Sequence, residues 1–229
     1  MSAPVLFVLG AGPKIGLSVG QAFAAKGYKV ALAARSLQEG VGEDGFLRLN
    51  IDFANQDPAG IQNAFAKVTE KLGVPSVVVY NAADRVTLDP EDPLTSATVE
   101  DTTRLLSVNV ISPLIAAQEA VKGFKTLPAS ASRTFIATGN LLNTTAWPPV
   151  LTFGMTKTAL AHLIHGSSKA YEKQGFKFYY ADERQADGGA TIPVSGPAAG
   201  EAYTELAEKK EQGPWNWTFV EGKGYVEFK

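Results

Sequence analysis

Short apolar runs alternate with longer amphipathic segments along most of this chain. Residues Ser76 to Tyr80 form an almost unbroken run of valine, which is typical of a strand buried on both faces. From Ile15 to Lys26, apolar side chains recur at helical spacing, and Gly27 follows as a helix end. The same pattern predicts further strands before Gly10 and at 29–33, 46–51, 133–138 and 176–181, and further helices at 58–72, 97–127 and 151–173.

Strands and helices that alternate in this way predict a parallel sheet. Connections between parallel strands run through helices and are right-handed, so the helices cover both faces of the sheet. The chain shows no internal repeat and no linker, and its 229 residues suffice for one large domain. We therefore predict an α/β fold over residues 1–229, with a doubly wound parallel sheet and helices on both faces.

The C-terminal segment differs from the rest in composition. Residues 184–197 are rich in glycine, alanine and proline, which indicates a mobile loop. A polar helix is predicted at 201–212, followed by short strands at 218–220 and 225–228. Within the predicted domain, residues 184–229 would thus supply a substrate loop, a helix and a terminal strand.

Composition narrows the possible partners and chemistry. The formal net charge of −2 gives no indication of a nucleic acid or a membrane surface as partner. The absence of cysteine excludes disulfides, thiolate metal sites and cysteine nucleophiles, and two histidines are too few for most metal sites, so no metal is expected. No apolar run approaches the ~18 residues of a membrane span, and no signal peptide opens the chain, so a cytoplasmic location is expected.

The most informative motif is the glycine-rich turn that follows the first strand. Gly10, Gly12 and Gly16 omit side chains where the backbone turns sharply and where a phosphate can approach. The helix that begins near Pro13 directs its free N–H groups and its positive dipole end toward that phosphate. This arrangement predicts dinucleotide binding; the alternative is a tight strand-to-helix turn in another kind of α/β protein.

The end of the second strand favours NADP(H) over NAD(H). Sites selective for NAD place a carboxylate there for the ribose 2′-hydroxyl, whereas an arginine accommodates a 2′-phosphate. This strand ends with Arg35 and has no acidic residue, and Lys14 in the glycine turn adds a second cation. We therefore expect NADPH to be preferred over NADH, unless both residues are ordinary exposed charges.

Several motifs together resemble the short-chain dehydrogenase/reductase family. The segment Gly10 to Gly16 is similar to the family's glycine fingerprint, with Lys14 at the position of its middle glycine. Asp52-Phe53 is similar to the pair that contacts adenine, and the stretch from Tyr80 to Ala83 resembles the Asn-Asn-Ala-Gly segment after the fourth strand. Asn109 and Lys157 match the helix asparagine and the lysine of the Tyr-x-x-x-Lys motif.

The resemblance covers roughly residues 1 to 182 and implies a Rossmann-type fold, a nicotinamide cofactor and a small-molecule substrate. It also implies a homodimer or homotetramer built on the helices at 97–127 and 151–173. The residues expected to bind the cofactor are Gly10, Gly12, Pro13, Lys14, Ile15, Gly16, Arg35, Asp52, Phe53, Asn81, Ala82, Ala83 and Lys157.

The chain departs from the family at the catalytic positions. In the family, a tyrosine donates the proton to the substrate carbonyl, and a serine hydrogen-bonds the reacting oxygen. Those two positions hold Phe153 and Asn140 here, and the Pro-Gly pair after the sixth strand is replaced by Glu183-Arg184. The expected catalytic residues are therefore Lys157, Asn109 and Asn140, with a substrate pocket formed by Asn140, Trp147 and Phe153.

Phe153 has no ionisable group, so another group must supply a proton if the reaction needs one. A positioned general acid contributes about 10²–10⁴ in rate. Iminium ions and activated alkenes would need no strong acid. The candidates for a replacement are Lys157, a water held by Asn109, Thr144, Thr145, Tyr179 and Tyr180.

Three functions follow from these observations. The first is an NADP(H)-dependent oxidoreductase that acts on a small carbonyl, imine or activated alkene through an atypical active site. The second is a non-redox enzyme, such as an isomerase, cyclase or lyase, that keeps the nucleotide site as a scaffold. The third is a catalytically silent NADP(H)-binding protein; the presence of Lys157 and Asn109 favours chemistry over a scaffold alone.

Overall fold

The computed structural model describes residues 3–55 and 57–228, so residues 1–2, 56 and 229 of the predicted domain lie outside the described part. One sheet contains strands in the order β3-β4-β2-β1-β5-β6-β7-β8-β9. The strands are β1 (Val5–Leu9), β2 (Lys29–Ala33), β3 (Gly40–Val41), β4 (Leu47–Leu49), β5 (Val77–Tyr80), β6 (Thr134–Thr138), β7 (Lys177–Glu183), β8 (Asn216–Val220) and β9 (Gly224–Tyr225). The helices are α1 (Ile15–Ala25), α2 (Ala59–Lys71), α3 (Val99–Leu106), α4 (Ser112–Phe124), α5 (Leu151–Ala170) and α6 (Gly196–Glu208).

The strand order reverses at β1, as the predicted doubly wound fold requires. β1 pairs in parallel with β2 on one side and with β5 on the other. Connections leave the carboxyl ends of these strands in opposite directions and create a crevice between them. The α/β prediction is thus confirmed, with β3 and β9 as short antiparallel strands at the two edges.

The sheet separates two apolar layers. One layer contains buried side chains of α2, α4 and α5, and the other contains those of α1 and α6. α1 and α6 approach each other closely because α6 begins with small residues. A Cβ atom at Gly200 would lie 3.0 Å from Ala22 Cβ, and one at Gly196 would overlap the Ser18 hydroxyl. This contact holds α6 against the helix that follows the glycine turn.

The C-terminal predictions are partly wrong. α6 starts at Gly196 instead of residue 201, because the Ser195 hydroxyl caps it by accepting a hydrogen bond from Ala198 N at 3.2 Å. The helix is largely buried, with Tyr203 and Leu206 in the core, and is not the polar helix expected. Gly196 and Pro197, the last two residues of the predicted loop, belong to α6, and Gly196 packs on α1. β8 starts at 216, and the terminal strand spans 224–225.

Other boundaries also shift. The helix predicted at 97–127 is interrupted by a π-helical turn over Ser107–Ile111, between α3 and α4. The strand predicted at 46–51 is confined to β4, and the glycine-rich segment before it contains the short strand β3. None of the described helices is long and apolar enough to cross a membrane.

Candidate active site and cofactor cleft

The glycine turn joins β1 to α1 in a conformation that requires glycine. Gly10 has φ +90°, and a Cβ atom there would overlap the backbone of Ala82. The backbone of Gly10 is fixed from two sides: its N–H donates to Ala33 O at 2.8 Å, and its carbonyl accepts from Asn81 Nδ2 at 2.7 Å. The ends of β1, β2 and β5 are therefore in direct contact at this position.

The start of α1 leaves room for an anionic group. A Cβ atom at Gly12 would meet nothing within 4 Å, whereas one at Gly16 would lie 2.5 Å from Ala11 Cα. The absence of a side chain at Gly16 thus allows the turn to pack on the helix. The absence of one at Gly12 leaves the space next to its Cα atom free. Lys14 is the N-cap residue and makes no side-chain cap with the described residues. Leu17 N–H donates to Gly12 O at 3.1 Å, whereas the N–H groups of Ile15 and Gly16 have no backbone partner among the described residues.

A cleft of about 320 Å³ extends from the turn along the ends of β2 and β4. Arg35 and Asp52 are exposed on its walls, while Phe53 is buried with its ring edge-on to Tyr80. Lys14 and Pro13 are exposed and do not line this cleft. The predicted cofactor residues that line it are Gly10, Gly12, Arg35, Asp52, Phe53, Asn81, Ala82 and Ala83.

A second cavity, also of about 320 Å³ and mainly apolar, continues from the first. Asn81 and Ala83 line both, and Ile15 contributes from the start of α1. Of the predicted catalytic and substrate-pocket residues, the structure brings four together in its lining: Asn140, Trp147, Phe153 and Lys157. An elongated ligand lying over the glycine turn can therefore extend from one cavity into the other.

Lys157 is buried on α5 with its ammonium group at the end of β6. Its Nζ donates to Thr138 O at 3.1 Å and lies 5.4 Å from the centre of the Phe153 ring. Burial lowers the pKa of Lys157 to about 8, while the negative charge of Asp182 acts in the opposite direction. Lys157 thus carries a positive charge at neutral pH, next to the cavity.

Asn109 lies in the π-helical turn and holds two segments together. Its Oδ1 accepts from Asp84 N at 3.0 Å, and its Nδ2 donates to Asp84 O at 2.9 Å and to Thr156 Oγ1 at 3.1 Å. The side chain thus links the loop after β5 to α5, and it is outside the described cavity lining. Its predicted catalytic role stays a prediction.

The two tyrosine hydroxyls considered as replacement proton donors already have partners. Tyr180 Oη donates to Asn140 O at 2.9 Å and accepts from Asn140 N at 3.0 Å. Tyr179 Oη bonds to the backbone of Glu211 and Gly213. The remaining pair, Thr144 and Thr145, do not line this cavity but an adjoining surface pocket, which shares Trp147 with it. Asn140 Oδ1 accepts from Leu142 N at 3.1 Å, so its Nδ2 group is the part of the amide that remains for a bound molecule.

Sequence reasoning missed Asp182, which lines the cavity near the end of β7. Its side chain is 1% exposed, and its Oδ2 accepts from Arg184 Nε at 2.6 Å. Burial raises the pKa of Asp182 to about 6, although Arg184 and Lys157 lower it. An acidic residue at the end of an apolar strand was the available signal. Tyr203, also in the lining, shares a 2.8 Å hydrogen bond with Thr138 Oγ1.

Comparisons with known proteins agree with this geometry. A family model described as short chain dehydrogenase matches residues 4–180. The short chain dehydrogenase/reductase dmxR12 of Cryptosporiopsis sp. (strain 8999) is 39% identical over 240 residues, which cover 100% of this chain and 96% of the relative.

Two solved structures at low identity share the fold. The structure titled ElxO with NADP bound has a TM-score of 0.79 at 15% identity, covering 95% of this chain and 96% of that one. A short-chain dehydrogenase/reductase from Serratia marcescens has a TM-score of 0.74 at 20% identity, covering 96% of this chain and 97% of that one. The family model and the relative establish the assignment: the chain belongs to the short-chain dehydrogenase/reductase family.

Proposed function

We propose that this protein is an NADP(H)-dependent oxidoreductase that acts on a small organic carbonyl, imine or activated alkene without the family's tyrosine. The observation that carries the proposal is the junction of the two cavities at Asn81 and Ala83. It connects the glycine turn with the pocket that contains Lys157. Members of the family use nicotinamide cofactors, and one structural neighbour, ElxO, is described with NADP bound.

The residues of the cleft fit a dinucleotide. The free space above Gly12 and the N–H groups at the start of α1 suit a pyrophosphate, and Arg35 suits a 2′-phosphate. Asp52 and Phe53 are proposed to border the adenine. The bound nicotinamide would supply or accept a hydride in the second cavity, next to Lys157.

The chain's own residues orient the substrate and exclude water. The walls of the second cavity are mainly apolar, with Phe153 and Trp147 among them, so an apolar or aromatic substrate is expected. Asn140 Nδ2 is suited to donate a hydrogen bond to a developing oxyanion, an interaction of about 10²–10³ in rate. Lys157 adds positive charge close to the same place.

Cofactor selectivity tests the role of the cation at the end of β2. We expect the wild-type protein to bind NADPH at least about tenfold more tightly than NADH, measured by fluorescence titration. Replacing Arg35 with alanine should remove most of this difference, because the 2′-phosphate loses its cation. Lys122→Ala, which removes an exposed lysine on α4, is the matched control and should leave the ratio unchanged. Equal affinities in the wild type would contradict the NADP(H) preference.

Restoring a phenol at the family position tests the orientation of the substrate. Phe153→Tyr is expected to raise the rate of carbonyl reduction by up to about 10²-fold, since it adds a hydroxyl near the Lys157 ammonium. Phe153→Leu, which adds no proton donor, should give no increase. The measurement is NADPH oxidation across a panel of apolar aldehydes and ketones. No gain with any of them would mean that substrates bind in a different orientation.

A non-redox enzyme is the second candidate function. The observation that favours it is the presence of a buried carboxyl and a buried amine, Asp182 and Lys157, in a cavity without the family's tyrosine. Such an isomerase, cyclase or lyase would convert its substrate with no net oxidation of NADPH. A catalytically silent NADP(H)-binding protein would bind the cofactor and convert nothing.

Assembly is proposed to use the α4 and α5 faces. The family is commonly oligomeric, and these helices carry exposed apolar side chains: Leu114 on α4 is 37% exposed and Met155 on α5 is 50% exposed. Ile111, just before α4, is 41% exposed. We propose a homodimer or homotetramer in which these side chains are covered.

A further inference from the structure

Asp182 is a buried acid inside the proposed substrate cavity. It lies one residue before the end of β7 and pairs in register with Thr218 of β8. Its side chain is 1% exposed and lines the cavity together with Lys157 and Phe153. The family resemblance gave this position no role, and a further departure from the family, Glu183-Arg184, follows it directly.

Only one of the two carboxyl oxygens of Asp182 is explained by the fold. Oδ2 accepts from Arg184 Nε, and Arg184 also donates to Gly188 O at 2.8 Å, which secures the loop after β7. Oδ1 is buried and has no hydrogen-bond partner among the described residues. A buried, unpartnered carboxyl oxygen is costly, and such groups concentrate where chemistry occurs. Pairing with Arg184 therefore accounts for Oδ2 and leaves Oδ1 for a bound molecule.

We propose that Asp182, through Oδ1, exchanges the proton with the substrate oxygen in this cavity, in place of the ionisable side chain that Phe153 lacks. The inference rests on the proposed oxidoreductase function and assigns its proton step. It adds a catalytic residue on β7 to a reaction that the family performs from α5.

The step balances in both directions. In reduction, the reduced nicotinamide would supply a hydride to the carbonyl carbon as its own C–H bond breaks, the O–H bond of the Asp182 carboxyl breaks, and a new O–H bond forms on the substrate oxygen. The resulting carboxylate is stabilised by the positive charges of Arg184 and Lys157, and it regains a proton from water that enters the cavity after the product has left. In oxidation, the same carboxylate accepts the alcohol proton.

The surroundings of Asp182 suit a proton carrier. Arg184 beside it and Lys157 on α5 favour the carboxylate, whereas burial favours the acid and outweighs them, which raises the pKa to about 6. Both forms are thus accessible near neutral pH. Other titratable groups near it are those whose own pKa it raises: Tyr180, Glu183 and Tyr203.

Neighbouring groups are less suited to the same task. The Tyr203 hydroxyl is engaged with Thr138 Oγ1, and burial raises the pKa of Tyr203, so its proton is held more tightly than that of free tyrosine. Lys157 Nζ uses one of its three N–H groups to donate to Thr138 O, and its pKa of about 8 keeps it mainly in the charged form at neutral pH, which suits it to stabilise negative charge on the substrate oxygen. Among these groups, Asp182 combines a free oxygen with a pKa near neutrality.

Asp182→Asn tests the proposal while keeping the size and shape of the side chain. We expect kcat for NADPH-dependent carbonyl reduction to fall about 10²-fold, with NADPH affinity unchanged, since a carboxamide cannot exchange this proton. Asp182→Glu should recover part of the rate. Asp44→Asn, which breaks another Asp–Arg pair outside the lining of both cavities, is the matched control and should keep wild-type kcat.

The pH dependence gives a second readout. Wild-type reduction should fall as the pH rises above about 6, alcohol oxidation should rise through the same range, and Asp182→Asn should lack both changes. The pKa of Asp182 is raised from the ordinary 3.8 to about 6 in the folded protein. The protonated carboxyl therefore stabilises the fold fully below pH 3.8, and this stabilisation is lost as the pH rises to about 6. The free energy of unfolding in urea should therefore decrease with pH over this range in the wild type, and this decrease should be absent from Asp182→Asn.

The outcomes separate the two proposals. Asp182→Asn with wild-type kcat and pH profile overturns the role of Asp182, while NADPH oxidation by the wild type keeps the oxidoreductase. A loss of rate accompanied by weaker NADPH binding also overturns it, since a change in cofactor binding would mean that Asp182 shapes the cofactor cleft and does not act on the substrate. A wild type that binds NADPH but oxidises none with any substrate overturns the oxidoreductase, and the assigned proton step with it.

Discussion

Gly10→Ala is expected to destabilise the protein and to abolish tight cofactor binding together. Gly10 has φ +90°, which costs an alanine roughly 1–2 kcal/mol. The added Cβ also overlaps the backbone of Ala82, whose N–H donates to Leu9 O at 3.1 Å and cannot move without breaking the β1–β5 junction. We expect the free energy of unfolding to fall by at least about 3 kcal/mol and the NADPH Kd to rise at least about 100-fold.

Gly27→Ala is the matched control for that change. Gly27 has a similar φ of +84°, but a Cβ atom there meets nothing within 4 Å. Only the backbone conformation should cost free energy, roughly 1–2 kcal/mol as at Gly10, and NADPH should bind as in the wild type. Urea unfolding and fluorescence titration of both variants separate the two effects. Equal losses in both would mean that the contact with Ala82 is unimportant.

Lys157→Met should remove most of the catalytic activity and little of the stability. Methionine is similar in length but cannot hold the positive charge near the cavity or donate to Thr138 O. We expect kcat to fall about 10³-fold, since charge stabilisation at the reacting oxygen and the field on Asp182 are both lost. The free energy of unfolding should change by no more than about 1 kcal/mol, because a buried charge is removed together with its hydrogen bond.

Lys177→Met should have the opposite effect, with lower stability and unchanged activity. Lys177 is also buried, and burial lowers its pKa to about 8. Its Nζ donates to Ala207 O at 3.0 Å and to Lys209 O, at the C-terminus of α6 and away from the cavity. This variant should lose about 2 kcal/mol of stability and keep wild-type kcat. A substantial loss of kcat in Lys177→Met, or none in Lys157→Met, would contradict the assignment of Lys157.

The parts of the fold that follow from local patterns were predictable. The valine run of β5 and the glycine turn after β1 each depend on neighbours along the chain, and the structure has both where expected. The helix α6 was predicted, but its start at Gly196 and its burial were not, because both depend on the packing of its small residues against α1. Helix propensity is a weak guide when close packing between two helices decides the outcome.

In the candidate site, too, some residues could be predicted from the sequence and others could not. Asn140, Phe153 and Lys157 could be located from the spacing of a known motif, and all three line one cavity. Asp182 could not, because its significance depends on burial and on the partner that Oδ1 lacks among the described residues. Neither property appears in a linear sequence. The hydroxyl of Tyr180 looked available in the sequence, and only the structure reveals its two bonds to the Asn140 backbone.

The two edge strands of the sheet also affect how this protein behaves at high concentration. β3 and β9 each contain two residues, Gly40–Val41 and Gly224–Tyr225, and each runs antiparallel to its longer neighbour. Fibril-like aggregates grow when a free chain adds to a long, flat strand edge. Both ends of this sheet instead finish in short hairpins that expose few backbone groups for strand addition. The sheet is therefore a poor template for aggregation at either edge.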